Sequence, residues 1–136
     1  VREHGGDHVS IIAVIKASGY GTNGPALARL LQFHGVEIMA VACTEEGVEL
    51  RRHGLVMRIL VLNPEPDTFR ALVKHRLEPA LHRLEHLDEL TRIVQQSNQT
   101  QPWPVHLKLD TGMHRLGFTP EECPALHKII ANHPHL

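Results

Sequence analysis

Along its length the chain alternates between short apolar runs and segments with helical spacing, and that alternation restricts it to folds built on a parallel sheet. Ile11 to Ala17 (IIAVIKA) is an almost continuous apolar, β-branched run and reads as a buried strand. Gly19, Gly21 and Gly24 punctuate the turn after it. Pro25 suits the first turn of a helix and Gly35 its end, with Leu27, Leu30 and Leu31 on one face. The pattern then recurs. Residues 38–43 are strand-like, and Thr44 is placed to cap a helix with Glu45 and Glu46 in its first turn and Gly54 at its close. Residues 58–62 form a third strand, broken by Asn63-Pro64, and a helix carrying Phe69, Leu72 and Val73 begins at Asp67. Residues 77–81 read as a weak fourth strand interrupted by Pro79, followed by a long helix marked by Leu84, Leu87, Leu90 and Val94. Residues 97–104 are a polar loop and 105–110 a fifth strand. Thr119-Pro120-Glu121-Glu122 is a capping box with proline at the first helical position, before a helix with Leu126, Ile129 and Ile130 on its apolar face.

Five βα units in 136 residues admit two architectures. One is an open, doubly wound sheet. The other is part of a (β/α)8 barrel, whose full form takes about 250 residues. Periodicity does not choose between them. With 42% apolar residues but only 4% aromatics, the core of either must be aliphatic.

The same composition excludes several classes of partner. A net charge of −1 supplies no basic face for phosphates, so no nucleic acid is expected. No apolar run approaches the roughly 18 residues needed to cross a bilayer. The polar start, Val1 to His8, lacks a signal-peptide core. Cys43 and Cys123, 80 positions apart, form neither a CxxC pair nor a disulfide framework, which fits a reducing, cytoplasmic compartment, with Cys43 a buried inert thiol. Among the 12 histidines, His82 and His86 could share a helix face and His133 and His135 flank Pro134, but no HExxH occurs and no metal is expected. Most of these histidines read as solvated.

Two stretches could carry chemistry, both at the C-terminal ends of strands, where parallel α/β proteins place active sites. The first is Lys16-Ala17-Ser18-Gly19-Tyr20-Gly21. A lysine closing an apolar strand is partly desolvated, which lowers its pKa and suits it to condense with an aldehyde cofactor or move a proton. The glycines admit a phosphate and the Tyr20 hydroxyl can donate to one. The plainer reading is a snorkelling lysine before an ordinary turn. The second runs from Val105 to Phe118. Strand alternation sets Val105, Leu107 and Leu109 on one face and His106, Lys108 and Asp110 on the other. Inside a barrel the polar three would need partners, and Arg115 in the following loop offers a fork for a carboxylate. On an edge strand the same residues would simply face water. Neither GxSxG nor a P-loop occurs.

The run A-V-I-K-A-S-G-Y-G at 13–21 resembles the cofactor motif of alanine racemases, and H-L-K-L-D-T-G-M-H-R-L-G-F at 106–118 resembles a second signature of that family. The stretches at 40–54 and 59–66 are similar to it too, so the resemblance covers nearly the whole chain. It implies a (β/α)8 barrel followed by a β-rich domain, a homodimeric, cytoplasmic enzyme that interconverts L- and D-alanine for peptidoglycan, and pyridoxal 5'-phosphate as cofactor. Lys16 would hold the cofactor and move the substrate's α-proton on one face. Tyr20 would hydrogen-bond the cofactor phosphate. Arg115 would contact the substrate carboxylate, oriented by Lys108, the lysine often N-carboxylated in this family. Residues 1–136 would then be one incomplete domain, the N-terminal part of the barrel, with the remaining strands and the β-domain beyond Leu136, and inactive alone. A racemase of serine or another small amino acid, or a non-catalytic pyridoxal-phosphate-binding barrel, remains an alternative. I-L-V-L-N-P-E-P is also similar to racemases fused to a cell-wall muramyl-peptide ligase. The chain departs from the family in reading Tyr20-Gly21-Thr22-Asn23 where Y-G-H-G is common, with Ser18 in place of an asparagine. Asn23 tolerates a left-handed backbone, so the turn can survive. Tyr20 is the only tyrosine, and the family's second base is a tyrosine from elsewhere.

Overall fold

The computed structural model describes residues 9–97 and 99–136; the polar start read at Val1 to His8 lies outside them. Five strands, β1 (Ile12–Val14), β2 (Ile38–Val41), β3 (Arg58–Val61), β4 (Glu78–Leu81) and β5 (His106–Leu107), form one sheet in the order β1-β2-β3-β4-β5. Every adjacent pair is parallel. Between and after them come α1 (Gly24–Phe33), α2 (Thr44–Arg52), α3 (Phe69–Lys74, entered through a short 3-10 turn at Pro66–Thr68), α4 (Leu84–Gln95) and α5 (Cys123–Ala131).

Strand order and core placement decide between the two architectures. A doubly wound sheet reverses its strand order and carries helices on both faces. Here the order runs straight through, and among the described residues the helices pack on one face only. Met39, Val41, Ile59, Val61 and Leu81 of the strands share one buried cluster with Ala28, Leu50, Leu72, Leu87 and Leu90 of the helices. The opposite face buries Ala40, Leu60 and Ala80 against Ile38 and Leu62, with no helical residue in the cluster. Ile12 and Val14 share that face by register and remain 45% and 41% exposed. This is an α/β partial barrel: helices outside, a helix-free interior, and interior positions at β1 still open.

Several local expectations shift. Strand β1 ends at Val14 rather than Ala17, because the backbone leaves the sheet after Ile15 and turns left-handed from Ala17. Pro79 sits inside β4, tolerated because pairing to β5 engages Ala80 and Leu81 instead. Thr44 does not cap α2; its hydroxyl lies 2.7 Å from that of Thr68. The helix after Thr119 begins at Cys123, one turn later than Pro120. Only half of the capping box forms there, with the Thr119 N–H donating to Glu122 Oε2 at 2.7 Å. Trp103, in the loop read as polar, is buried in the helix-side core and donates its indole N–H to the Leu77 carbonyl at 3.2 Å.

Candidate active site

The first strand delivers Lys16 to the C-terminal edge of the sheet. Its last ladder bond runs from the Ile15 N–H to the Ala40 carbonyl at 2.9 Å. The chain then makes one helical turn, Lys16–Tyr20, with positive φ at Ala17 (53°), Ser18 (51°), Gly19 (67°) and Tyr20 (56°). A left-handed non-glycine residue costs roughly 1–2 kcal/mol, so three in one turn must be held by their surroundings. Gly19 N–H donates to the Ile15 carbonyl at 2.9 Å and Gly21 N–H to Ala17 at 3.0 Å. The Glu46 carboxylate, from the first turn of α2, accepts the Ala17 N–H at 2.6 Å and the Ala42 N–H at 2.8 Å. Asn23, left-handed at φ 74°, caps α1 by accepting the Ala26 N–H at 3.2 Å. Gly24 sits in close approach to the turn: a Cβ there would lie 3.3 Å from the Ser18 backbone, tighter than ordinary contact. Lys16 and Tyr20 both stand in solvent, and Lys16 makes no hydrogen bond or ion pair with a described residue. The desolvation expected of a strand-terminal lysine is therefore not supplied by these residues, because the turn lifts the side chain out of the sheet.

The fifth strand delivers Lys108 to the same end, with its N–H on the Leu81 carbonyl at 2.8 Å. Lys108 is half-buried, and its Nζ donates to the Leu62 carbonyl, just past β3, at 3.3 Å. Burial, reinforced by the Arg115 charge, holds its ammonium below the usual lysine value. Arg115 itself is exposed. Its loop is built by Asp110, whose Oδ1 accepts the N–H groups of Gly112 and His114, each at 3.0 Å, and these bonds hold the carboxyl below its usual range. Asp110 thus shapes the loop rather than serving an anion, a role the alternation pattern did not show. Leu109, expected on the helix-facing side, is 47% exposed, because the chain turns back to pair Asp110 and Lys108 with Phe118.

Lys16 and Tyr20 follow one edge strand, and Lys108 and Arg115 the other. All four lie at one end of the sheet, across four strand spacings, roughly 19 Å along its surface. Lys108 and Arg115 are brought together; Tyr20 stays with Lys16. A cavity of about 320 Å³ opens beside the second pair, between Asn63, Glu65, His82, His86 and Leu116. His82 and His86 meet edge to face at 5.4 Å and burial lowers both pKa values. His133 is half-buried rather than solvated, with Nδ1 2.8 Å from the Thr91 hydroxyl. No group of three or more ligating side chains among the described residues is placed to hold a metal.

Deeper on the interior face, Glu78 takes two hydrogen bonds from Arg58, at 2.7 and 2.8 Å, and lies 2.8 Å from His106 Nε2. Burial pushes the Glu78 carboxyl up, but Arg58 and His106 together outweigh it and hold the group below its usual value. A larger cavity, about 540 Å³, opens at the other end of the sheet against Arg51, Arg58 and Arg76. Arg51 is spent there on the carbonyls of Leu55, Met57, His75 and Arg76, and Arg58 on Glu78, so size does not locate the site. Both cysteines are free, and burial is the main cause raising the Cys43 thiol.

The family described as "Alanine racemase, N-terminal domain" matches residues 1–136. This chain belongs to that family. Alanine racemase of Halothermothrix orenii is 40% identical over 131 residues, covering 96% of this chain and 34% of that protein. Alanine racemase of Staphylococcus saprophyticus is 38% identical over 129 residues, covering 93% and 34%. The solved alanine racemase of Clostridium difficile 630 superposes with a TM-score of 0.87 at 30% identity, covering 94% of this chain and 34% of that one. The Bacillus anthracis enzyme, solved with bound L-Ala-P, gives 0.85 at 28% identity, covering 99% and 35%. The chain thus spans about a third of the length of these alanine racemases. Among its described residues, no helix is long and apolar enough to cross a membrane.

Proposed function

We propose that this chain is the lysine-bearing third of an enzyme that racemises alanine, with pyridoxal 5'-phosphate as cofactor. One observation carries the reading: an unengaged, exposed lysine on a strained left-handed turn stands at the same end of the barrel strands as a half-buried lysine next to an arginine. Strain of this kind persists where surrounding structure enforces it, and it concentrates at functional sites. The residues fit the cofactor. Lys16 offers a primary amine open to an aldehyde, and Tyr20 offers an exposed phenol hydroxyl on the same turn, suited to a phosphate oxygen. When bound, pyridoxal phosphate supplies an electron sink for the negative charge left at a carbon that loses its proton.

The chain's own residues do the rest of what this third contributes. Lys16 holds the cofactor and, through Nζ, takes or returns the substrate's α-proton on one face. The Arg115 guanidinium binds the substrate carboxylate and fixes its orientation. Lys108, carboxylated on Nζ, becomes the anion that pairs with Arg115. The second acid or base, on the other face, comes from outside these 136 residues, as do a β-domain and a homodimer partner. The cytoplasm, and D-alanine supply for peptidoglycan, follow from the same reading.

The test grafts this chain in place of the matching third of the Clostridium difficile enzyme and follows D-alanine formed from L-alanine. Turnover that disappears with Lys16→Ala is the expected result. A folded graft whose turnover ignores Lys16 would refute the assignment.

A further inference from the structure

We infer that Glu46 is a positioning residue for Lys16: its carboxylate holds the left-handed turn that aims the lysine. The inference rests on the proposed role of Lys16. The two oxygens bridge two strand ends, taking the N–H of Ala17 at 2.6 Å and of Ala42 at 2.8 Å. Ala17 follows Lys16 directly and is the first residue with positive φ. The last ladder bond is made by Ile15, so without Glu46 the Ala17 donor is left to water at the first left-handed residue of the turn. Other bonds within the turn, from Gly19 N–H and Gly21 N–H, close it but do not tie it to its neighbour. Among the described residues, Glu46 is the one side chain whose hydrogen bonds join the turn to α2 and β2. An ionised acceptor suits the task, since bonds from N–H to carboxylate are stronger than neutral ones. Glu46 thereby couples the direction of Lys16 to the packed frame of the barrel.

The test uses the 136-residue chain and two variants, Glu46→Gln and Glu46→Ala. The chain holds four lysines, Lys16, Lys74, Lys108 and Lys128, so borohydride trapping with pyridoxal 5'-phosphate reports the share of label at each. Separately, Cα and Cβ chemical shifts of Ala17 and Ser18 report the left-handed backbone with no cofactor present. Glu46→Gln keeps one acceptor and is expected to lower the Lys16 share partially. Glu46→Ala is expected to lower it about tenfold, the change that one charge-assisted hydrogen bond can produce. In both, the Ala17 and Ser18 shifts should leave left-handed values while amides of Met39 and Ile59 stay protected. Should Glu46→Ala fail to fold, Glu46→Gln decides. Wild-type chain labelled elsewhere than Lys16 would sink the proposed function, and the chemical shifts would still judge Glu46. Unchanged shifts, or altered shifts with an unchanged Lys16 share, would overturn the positioning role.

Discussion

Arg115 bears on Lys108 as a like charge. The Lys108 ammonium is half-buried, bonded to the Leu62 carbonyl at 3.3 Å, and lowered in pKa by burial first and Arg115 second. A pair of cations is a poor resting state for a carboxylate-binding site, and carboxylation of the lysine would turn the repulsion into an ion pair. The reaction joins a neutral amine to carbon dioxide and releases one proton, so a lowered pKa favours it. Carbon-13-labelled bicarbonate should give a carbamate resonance that Lys108→Arg abolishes. The sign for stability is the opposite of an ion pair. The folded pKa lies below 10.5, so the penalty of burying the ammonium, with the Arg115 repulsion added, is fully present below the folded value and relieved as pH rises through the window up to 10.5. A carbamate signal that survives Lys108→Arg would place the modification elsewhere.

Glu78 should give acid sensitivity of the usual carboxylate sign. Its pKa is lowered from 4.5 against its own burial, by Arg58 and His106, so its contribution is present above 4.5 and is lost as pH falls through the folded value. Glu78→Gln should cost about 1–3 kcal/mol at pH 7, since Arg58 is half in water but Glu78 is buried. Urea unfolding at pH 7 and pH 3 measures it: the gap between wild type and variant should close at the lower pH. A gap that persists would mean that Glu78 acts through packing.

Gly117→Ala should damage the Arg115 loop selectively. Gly117 has φ 136°, and an added Cβ would lie 2.5 Å from the Asp110 nitrogen and 2.7 Å from the Leu109 carbonyl carbon. Those atoms are backbone and cannot swing aside. A loss of roughly 1–3 kcal/mol is expected, with chemical-shift changes concentrated in residues 108–118. Unchanged stability and shifts would contradict this packing.

The isolated chain should not racemise alanine at a measurable rate. Racemisation needs proton transfer on both faces of the substrate carbon, and a positioned acid or base contributes roughly 10²–10⁴-fold. Tyr20 is the only tyrosine and sits on the same turn as Lys16, assigned to phosphate. Chiral analysis of alanine incubated with chain and pyridoxal phosphate is the assay; turnover abolished by Lys16→Ala would show that the chain already holds its second base.

Much of this was legible because βα alternation is a local signal. Ile38 to Val41 and Arg58 to Val61 read as strands since both their faces are covered, by helices outside and barrel side chains within. What separated barrel from open sheet was not local: strand order and the placement of Ala40, Leu60 and Ala80 on a helix-free face. Glu46 read as a helix-dipole residue, because spacing shows that it begins α2 but not that it reaches Ala17, 29 positions back. A carboxylate three residues past a strand was the available signal. Trp103 was hidden by its polar neighbours, and Lys16 was assigned burial because its strand was read three residues too long, through a turn whose left-handed Ala17 and Ser18 have no sequence signature.

The most direct measurement is where pyridoxal 5'-phosphate attaches. With four lysines in the chain, borohydride reduction followed by peptide mass mapping assigns each adduct without ambiguity. The dominant adduct should lie on Lys16, and Lys16→Arg should remove it without raising the others. An even spread over the four lysines, or a dominant adduct on Lys74, Lys108 or Lys128, would contradict the central claim.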